Sequence, residues 1–207
     1  MNLSQQSKQW YEWFLRRLVG AKQPMPMAYG LSINRHASLT QEAMLALLTR
    51  VSPAESQLLP LMITEKRIAS FNDVLSCITI GGELCPKRSR QDHIQVCRIG
   101  AHWAVVLVIR QQGLLCVYVY HPGQYCRKRT LTAPWGDVHL CIRGAHYQTD
   151  QDDDSCATFA VWGSMYIPMF LKQHMRVPCH IPWFAKQTDA KEVDAACSGF
   201  LWGAHGM

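Results

Sequence analysis

The strongest constraint on this chain is a pair of apolar runs separated by a short turn. Trp103 to Ile109 reads WAVVLVI, Leu114 to Tyr120 reads LLCVYVY, and Gln111-Gln112-Gly113 lies between them. Both runs are rich in β-branched and aromatic residues, and a short glycine-containing loop joins them, so they are expected to form a hairpin. Their apolarity is continuous rather than alternating, which implies that both faces of the hairpin are covered. Pro122 and Gly123 end the second run. Ile94 to Ile99 alternates weakly and Val138 to Ile142 is β-rich, so each is a candidate for a further strand.

Helices are expected on either side of this sheet. Trp10, Trp13, Phe14, Arg17 and Leu18 recur at spacings of three and four, which predicts an amphipathic helix over residues 5–19, ending near Gly20. Its aromatic stripe is either a core face or a partner-docking surface. Gln23-Pro-Met-Pro-Met reads as an extended connector. Thr40 is a fitting cap for a second helix through Met44, Leu45, Leu47 and Leu48, and Ser52-Pro53 opens a third, shorter one through Leu59. After the acidic segment Asp150 to Asp154, Phe159, Trp162, Met165 and Tyr166 again follow helical spacing, with a bend or stop expected near Pro168. The tail is rich in Pro and Gly and reads as irregular, with Trp183, Phe184 and Trp202 covering core edges. The fold class expected is α+β, a small central, mostly antiparallel sheet with packed helices. Residues 1–52 form an N-terminal helical region, accessory or substrate-docking, and residues 53–207 the main domain.

Composition excludes several classes. The chain is 48% hydrophobic and 17% charged, enough to bury a core, so wholesale disorder is excluded. No run of eighteen uncharged apolar residues occurs, so no membrane-spanning helix is expected. The net charge of +6 contains two short clusters, Lys87-Arg88-Arg90 and Arg127-Lys128-Arg129. Neither is interleaved with the aromatic residues that stack on bases, so both read as solvated loops, and nucleic acid is not an expected partner. Nine cysteines at irregular spacing do not suit a disulfide framework and read mostly as buried thiols of a reducing compartment. Cys116, His121 and Cys126 are close in sequence, and Cys141 precedes His146, but no recognised ligand spacing occurs and no metal is expected. Gly81-Gly82 stand alone, without a strand–turn–helix phosphate motif.

One Cys/His arrangement carries chemistry. His102 opens a buried strand and precedes Trp103, and Cys156 falls in the expected first turn of a helix. Unpaired backbone N–H groups and the positive end of the helix dipole stabilise a thiolate there and receive a developing oxyanion. A histidine within hydrogen-bond reach completes a nucleophile–base pair. Gln151 or Gln148 is placed to act as a side-chain oxyanion donor.

The order of these features, in GAHWAVVLVI, LLCVYVYHPG and QTDQDDDSCATFAV, resembles the adenain-like cysteine peptidases. That clan is papain-like in the broad sense and includes ubiquitin-like deconjugases, bacterial effector deubiquitinases and YopJ-like acetyltransferases. The resemblance covers about residues 94–170. It implies an adenain-like fold and a thiol hydrolase that cleaves ubiquitin or ubiquitin-like conjugates, with no cofactor. It makes Cys156 the nucleophile, His102 the general base, Gln151 the oxyanion donor and Trp103 a wall of the channel that admits a peptide C-terminus. The family's acid aligns with His121, nineteen residues after His102.

Three positions depart from the pattern. His121 stands where Asp, Glu or Asn is usual, Ala157 where Gly is usual, and Asp152, Asp153 and Asp154 directly precede the nucleophile's turn. A neutral imidazole stabilises an imidazolium far less than a carboxylate does. The centre is therefore a Cys-His dyad, a site that borrows a carboxylate such as Asp137, or a catalytically impaired binding module. A YopJ-like Ser/Thr/Lys acetyltransferase is the alternative activity, using acetyl-coenzyme A and an inositol phosphate activator held by the basic clusters. Reduced thiols and the lack of a secretory signal imply the cytoplasm. The resemblance to virulence effectors implies delivery into a host cytosol by a specialised secretion system.

Overall fold

The computed structural model describes residues 3–19, 44, 48, 59, 61–63, 69, 73, 92–100, 102–123, 127–133, 136–144 and 156–183. They form helix α1 (Leu3–Val19) and strands β1 (Leu61–Ile63), β2 (His93–Ile99), β3 (His102–Gln111) and β4 (Leu114–His121). Strands β5 (Arg127–Ala133) and β6 (Gly136–Gly144) follow, then helix α2 (Cys156–His174). The six strands make one mixed sheet in the order β1-β2-β3-β4-β6-β5. This is an α+β arrangement.

The two central runs pair as expected. β3 and β4 are antiparallel with Gln111 opposite Leu114, which leaves a two-residue turn. Gln112 and Gly113 both have positive φ, 52° and 83°, the geometry of the hairpin turn that follows the twist of its strands. β2 and β3 are joined equally tightly: Ile99 faces His102 and Gly100 takes φ 61°. That turn fixes His102 at the very start of the central strand.

Pleating divides the sheet into two buried faces. Trp103, Val105, Leu107 and Ile109 join the cluster that holds α2, whereas Ala104, Val106 and Val108 join a second cluster with Val117, Val119, Val138, Leu140 and Ile142. Continuous apolarity in β3 thus reflects burial on both sides.

On the first face α2 lies over β3 and β2, and it is apolar on nearly every side from Cys156 to Pro168 because it is enclosed. Gly163 marks its close approach to the sheet: a β-carbon there would sit 2.6 Å from Ile181 Cδ1 and 3.1 Å from Val105 Cγ2. α1 packs across α2, with Tyr11 edge-on to Trp162 at 5.3 Å and Trp10 edge-on to Tyr166 at 5.8 Å. The helical residues Met44 and Leu48 are buried in the same cluster, so the N-terminal region shares this core. After α2 the chain returns along it without regular structure. Tyr120 donates to the Pro178 carbonyl at 2.8 Å and Trp162 Nε1 to the Pro182 carbonyl at 2.8 Å, while Trp183 packs against Tyr11 and Phe159.

Several expectations need correction. Pro168 neither stops nor divides α2, which continues to His174. Proline removes one N–H from the ladder, and packing around a nearly all-apolar helix offsets that loss. Arg127-Lys128-Arg129 opens β5 rather than a solvated loop, paired with β6 through Ile142, Cys141 and Leu140. β5 ends the strand order, and a basic run at such a position guards a sheet edge against further pairing. The sheet is mixed because β1 joins β2 and β6 joins β4 in parallel. The cluster at Lys87-Arg88-Arg90, Phe184 and Trp202, and most of the second and third expected helices lie outside the described residues. Among the described residues no helix is long and apolar enough to cross a membrane.

Candidate functional site

Strand directions gather one end of the sheet. β3 begins where β2, β4 and β6 finish, so His102, Ile99, His121 and Gly144 share that end. His121 and His102 meet there edge-on, with ring centroids 5.3 Å apart. The register explains the contact: His121 falls opposite Ala104, two residues from His102 on the same face.

His121 is buried, and its bonding is fixed by backbone. Nδ1 accepts the Gly123 N–H at 3.1 Å, so the ring proton must lie on Nε2. A second hydrogen bond goes to the Ile99 backbone. Burial, then the neighbouring His102 charge, lowers its pKa from 6.5 to about 4. His121 is thus a neutral imidazole at ordinary pH, contributing an aromatic edge to His102 rather than a negative charge. His102 is half-buried, and its Nδ1 is enclosed without a hydrogen-bond partner.

Trp103 points to the other face and is 1% exposed, with Arg98 across the strand pair and its guanidinium 5.8 Å from the indole ring. It is a core residue. Cys156 is the first residue of α2 and is buried in the cluster that contains Trp103. No acidic residue occupies the first turn of α2. Ala157 is buried in the same cluster, so its methyl packs into the core. Gln148, Gln151 and Asp152 to Asp154 lie outside the described residues.

The structure therefore brings together His102 and His121 on one face, and buries Cys156 and Trp103 in the cluster on the other. Asp137 is excluded as a borrowed acid. It pairs with Thr132 near the start of β6, whereas His121 faces Gly144 at the strand's end. Seven residues of strand separate Asp137 from Gly144, roughly 23 Å of backbone and beyond side-chain reach.

One concavity among the described residues was not evident from the sequence. A recess of about 800 Å³ lies over β4, β6 and β5, lined by Gln111, Cys116, Tyr118, His139, Cys141 and Arg143 among others. Its only sequence signal is alternation, Cys116-x-Tyr118 on one strand and His139-x-Cys141-x-Arg143 on its neighbour, which places five such side chains on one face. Cys97, Cys116, Cys141 and Cys156 are buried and Cys179 is exposed, none of them in a disulfide. Among the described residues no three His, Cys, Asp or Glu side chains are grouped to hold a metal ion.

Comparison with known proteins finds no matching family model and no similar curated protein.

Proposed function

We propose that this chain is a thiol hydrolase of the ubiquitin or ubiquitin-like deconjugating type, on an adenain-like fold, with Cys156 as nucleophile. The observation that carries the reading is the position of Cys156 as the first residue of an α2 whose opening turn has no acidic side chain. The N–H groups of a helix's first turn have no partner within the helix, and together with the helix dipole they favour the thiolate and receive the oxyanion of the tetrahedral intermediate. His102 takes the thiol proton and returns it to the leaving amine, after which water releases the acyl group. Gln151 adds a side-chain donor to the oxyanion site.

His102 acts from the first position of β3, where its imidazole is only half-enclosed. Catalytic hydrogen bonds in unliganded enzymes are often long and tighten in the substrate complex. Because His102 rests on the His121 face and Cys156 in the cluster on the other, hydrolysis requires the imidazole, at the strand's end, to turn toward Cys156 when substrate is seated. A neutral His121 leaves the imidazolium without a countercharge, so the centre works as a Cys-His dyad with a low turnover rate.

The test is release of a fluorophore from the C-terminus of ubiquitin and ubiquitin-like proteins. The reading expects turnover that is abolished by Cys156→Ala and lowered at least 100-fold by His102→Asn, the usual scale of a general base. Self-acetylation by acetyl-coenzyme A without fluorophore release would favour the acetyltransferase instead. The neutral, fully hydrogen-bonded His121 also favours a second reading, an impaired enzyme that binds such conjugates without cleaving them. Conjugate binding without release in the unmodified chain supports that second reading.

A further inference from the structure

We infer that the recess over β4 and β6 binds a small organic anion, a carboxylate carried on an apolar body. None of Cys156, His102 or His121 lines it, so the inference is independent of the proposed hydrolysis. Its volume of about 800 Å³ falls within the range of ligand pockets.

The walls supply both halves of such a ligand's recognition. No described residue lining the recess is acidic, and Arg143 is a permanent cation on its wall. The guanidinium is held in place before any ligand arrives. It lies 5.1 Å from the centre of the Tyr118 ring and donates through one terminal nitrogen to the Cys179 carbonyl at 3.2 Å. Tyr118 is itself fixed, its hydroxyl donating to Gln111 Oε1 at 2.8 Å. Arg143 Nε is enclosed and has no hydrogen-bond partner. Nε is therefore closed to a ligand, and the second terminal nitrogen, which has no partner among the described residues, is the donor left for a carboxylate oxygen.

The apolar half comes from Cys116, Cys141 and the exposed Leu114. Burial raises the pKa of the Cys116 thiol, so it presents a neutral, soft surface to the ligand body. Thr130, exposed on β5, forms part of the rim.

Calorimetric titration of the full chain with sodium octanoate, 1-octanol and octylamine tests the assignment. Octanoate is expected to bind at one saturable site with a Kd near 1 mM, ordinary for a ligand of about ten heavy atoms. The alcohol and the amine are expected to bind at least about tenfold more weakly, as removing or reversing a paired charge requires. Arg143→Gln should bring octanoate down to the level of the alcohol. Thr130→Trp fills the recess from an exposed edge position and should abolish binding with the circular dichroism spectrum retained, which keeps the test open if Arg143→Gln fails to fold. Octanoate binding unchanged in Thr130→Trp overturns the assignment. Equal affinity for all three probes, or no saturable binding below about 10 mM, overturns it as well.

Discussion

At the scale of single residues, His121 has the clearest signature. Its folded-state pKa of about 4 lies below the unfolded value of 6.5, so the unfolded chain takes up this proton first as the solution is acidified. His121 therefore contributes stability that is complete above about pH 6.5, declines as the pH falls, and is exhausted below about pH 4. The decline amounts to roughly 3 kcal/mol for a shift of this size. Chemical denaturation between pH 7 and pH 4 should show this slope, and His121→Gln should remove it while lowering stability at pH 7. A slope unchanged in His121→Gln would assign the acid sensitivity to other groups. The sequence disclosed His121 at a strand's end, where the resemblance expects an acid, but not its proton arrangement. That depends on Ile99 and Gly123, which the turn before β3 and the turn after β4 bring around the ring.

The elements show where sequence and structure part. The β3–β4 hairpin was legible because continuous apolarity and a glycine turn point to the same local geometry. Gln112 is the one residue in it whose backbone conflicts with its side chain, at φ 52°. Gln112→Asn should stabilise the fold by about 0.5 kcal/mol in denaturant titration, since asparagine tolerates the left-handed region better. β1 was not legible, because three residues carry no period. β5 was hidden by its basic opening, because local charge predicts solvent contact whereas pairing with β6 is decided by distant residues. α2 was legible in its spacing but not in its passage through Pro168, which depends on packing from the sheet and α1. Gly163 tests that packing: Gly163→Val should destabilise by about 3 kcal/mol through overpacking. Combining it with Ile181→Ala should cost less than the sum of the two single variants, since Ile181 is the side chain the new β-carbon meets. Strict additivity would show that α2 does not approach the sheet at this point.

Across the whole molecule, α1 is part of the core. Tyr11 joins Trp162 and Trp183, and the Ser7 hydroxyl reaches Tyr166, so removing residues 1–19 strips an aromatic layer from α2. Such a truncation should lower the thermal midpoint by well over 10 °C, since several kcal/mol of buried aromatic contact are lost. A truncated chain of unchanged stability would return α1 to the role of a detachable docking helix. The mixed sheet also decides which chemistry is close. It collects the two histidines at one end of the sheet and removes Asp137 to the other, while Cys156 at the start of α2 is buried on the opposite face from the histidines.

The most direct test of the central claim is covalent capture by a ubiquitin-like protein ending in a C-terminal propargyl group, read by intact mass and peptide mapping. The account predicts one adduct on Cys156, lost in Cys156→Ala and slowed in His102→Asn. An adduct that persists in Cys156→Ala, or a native chain left unmodified by every ubiquitin-like probe, would contradict it.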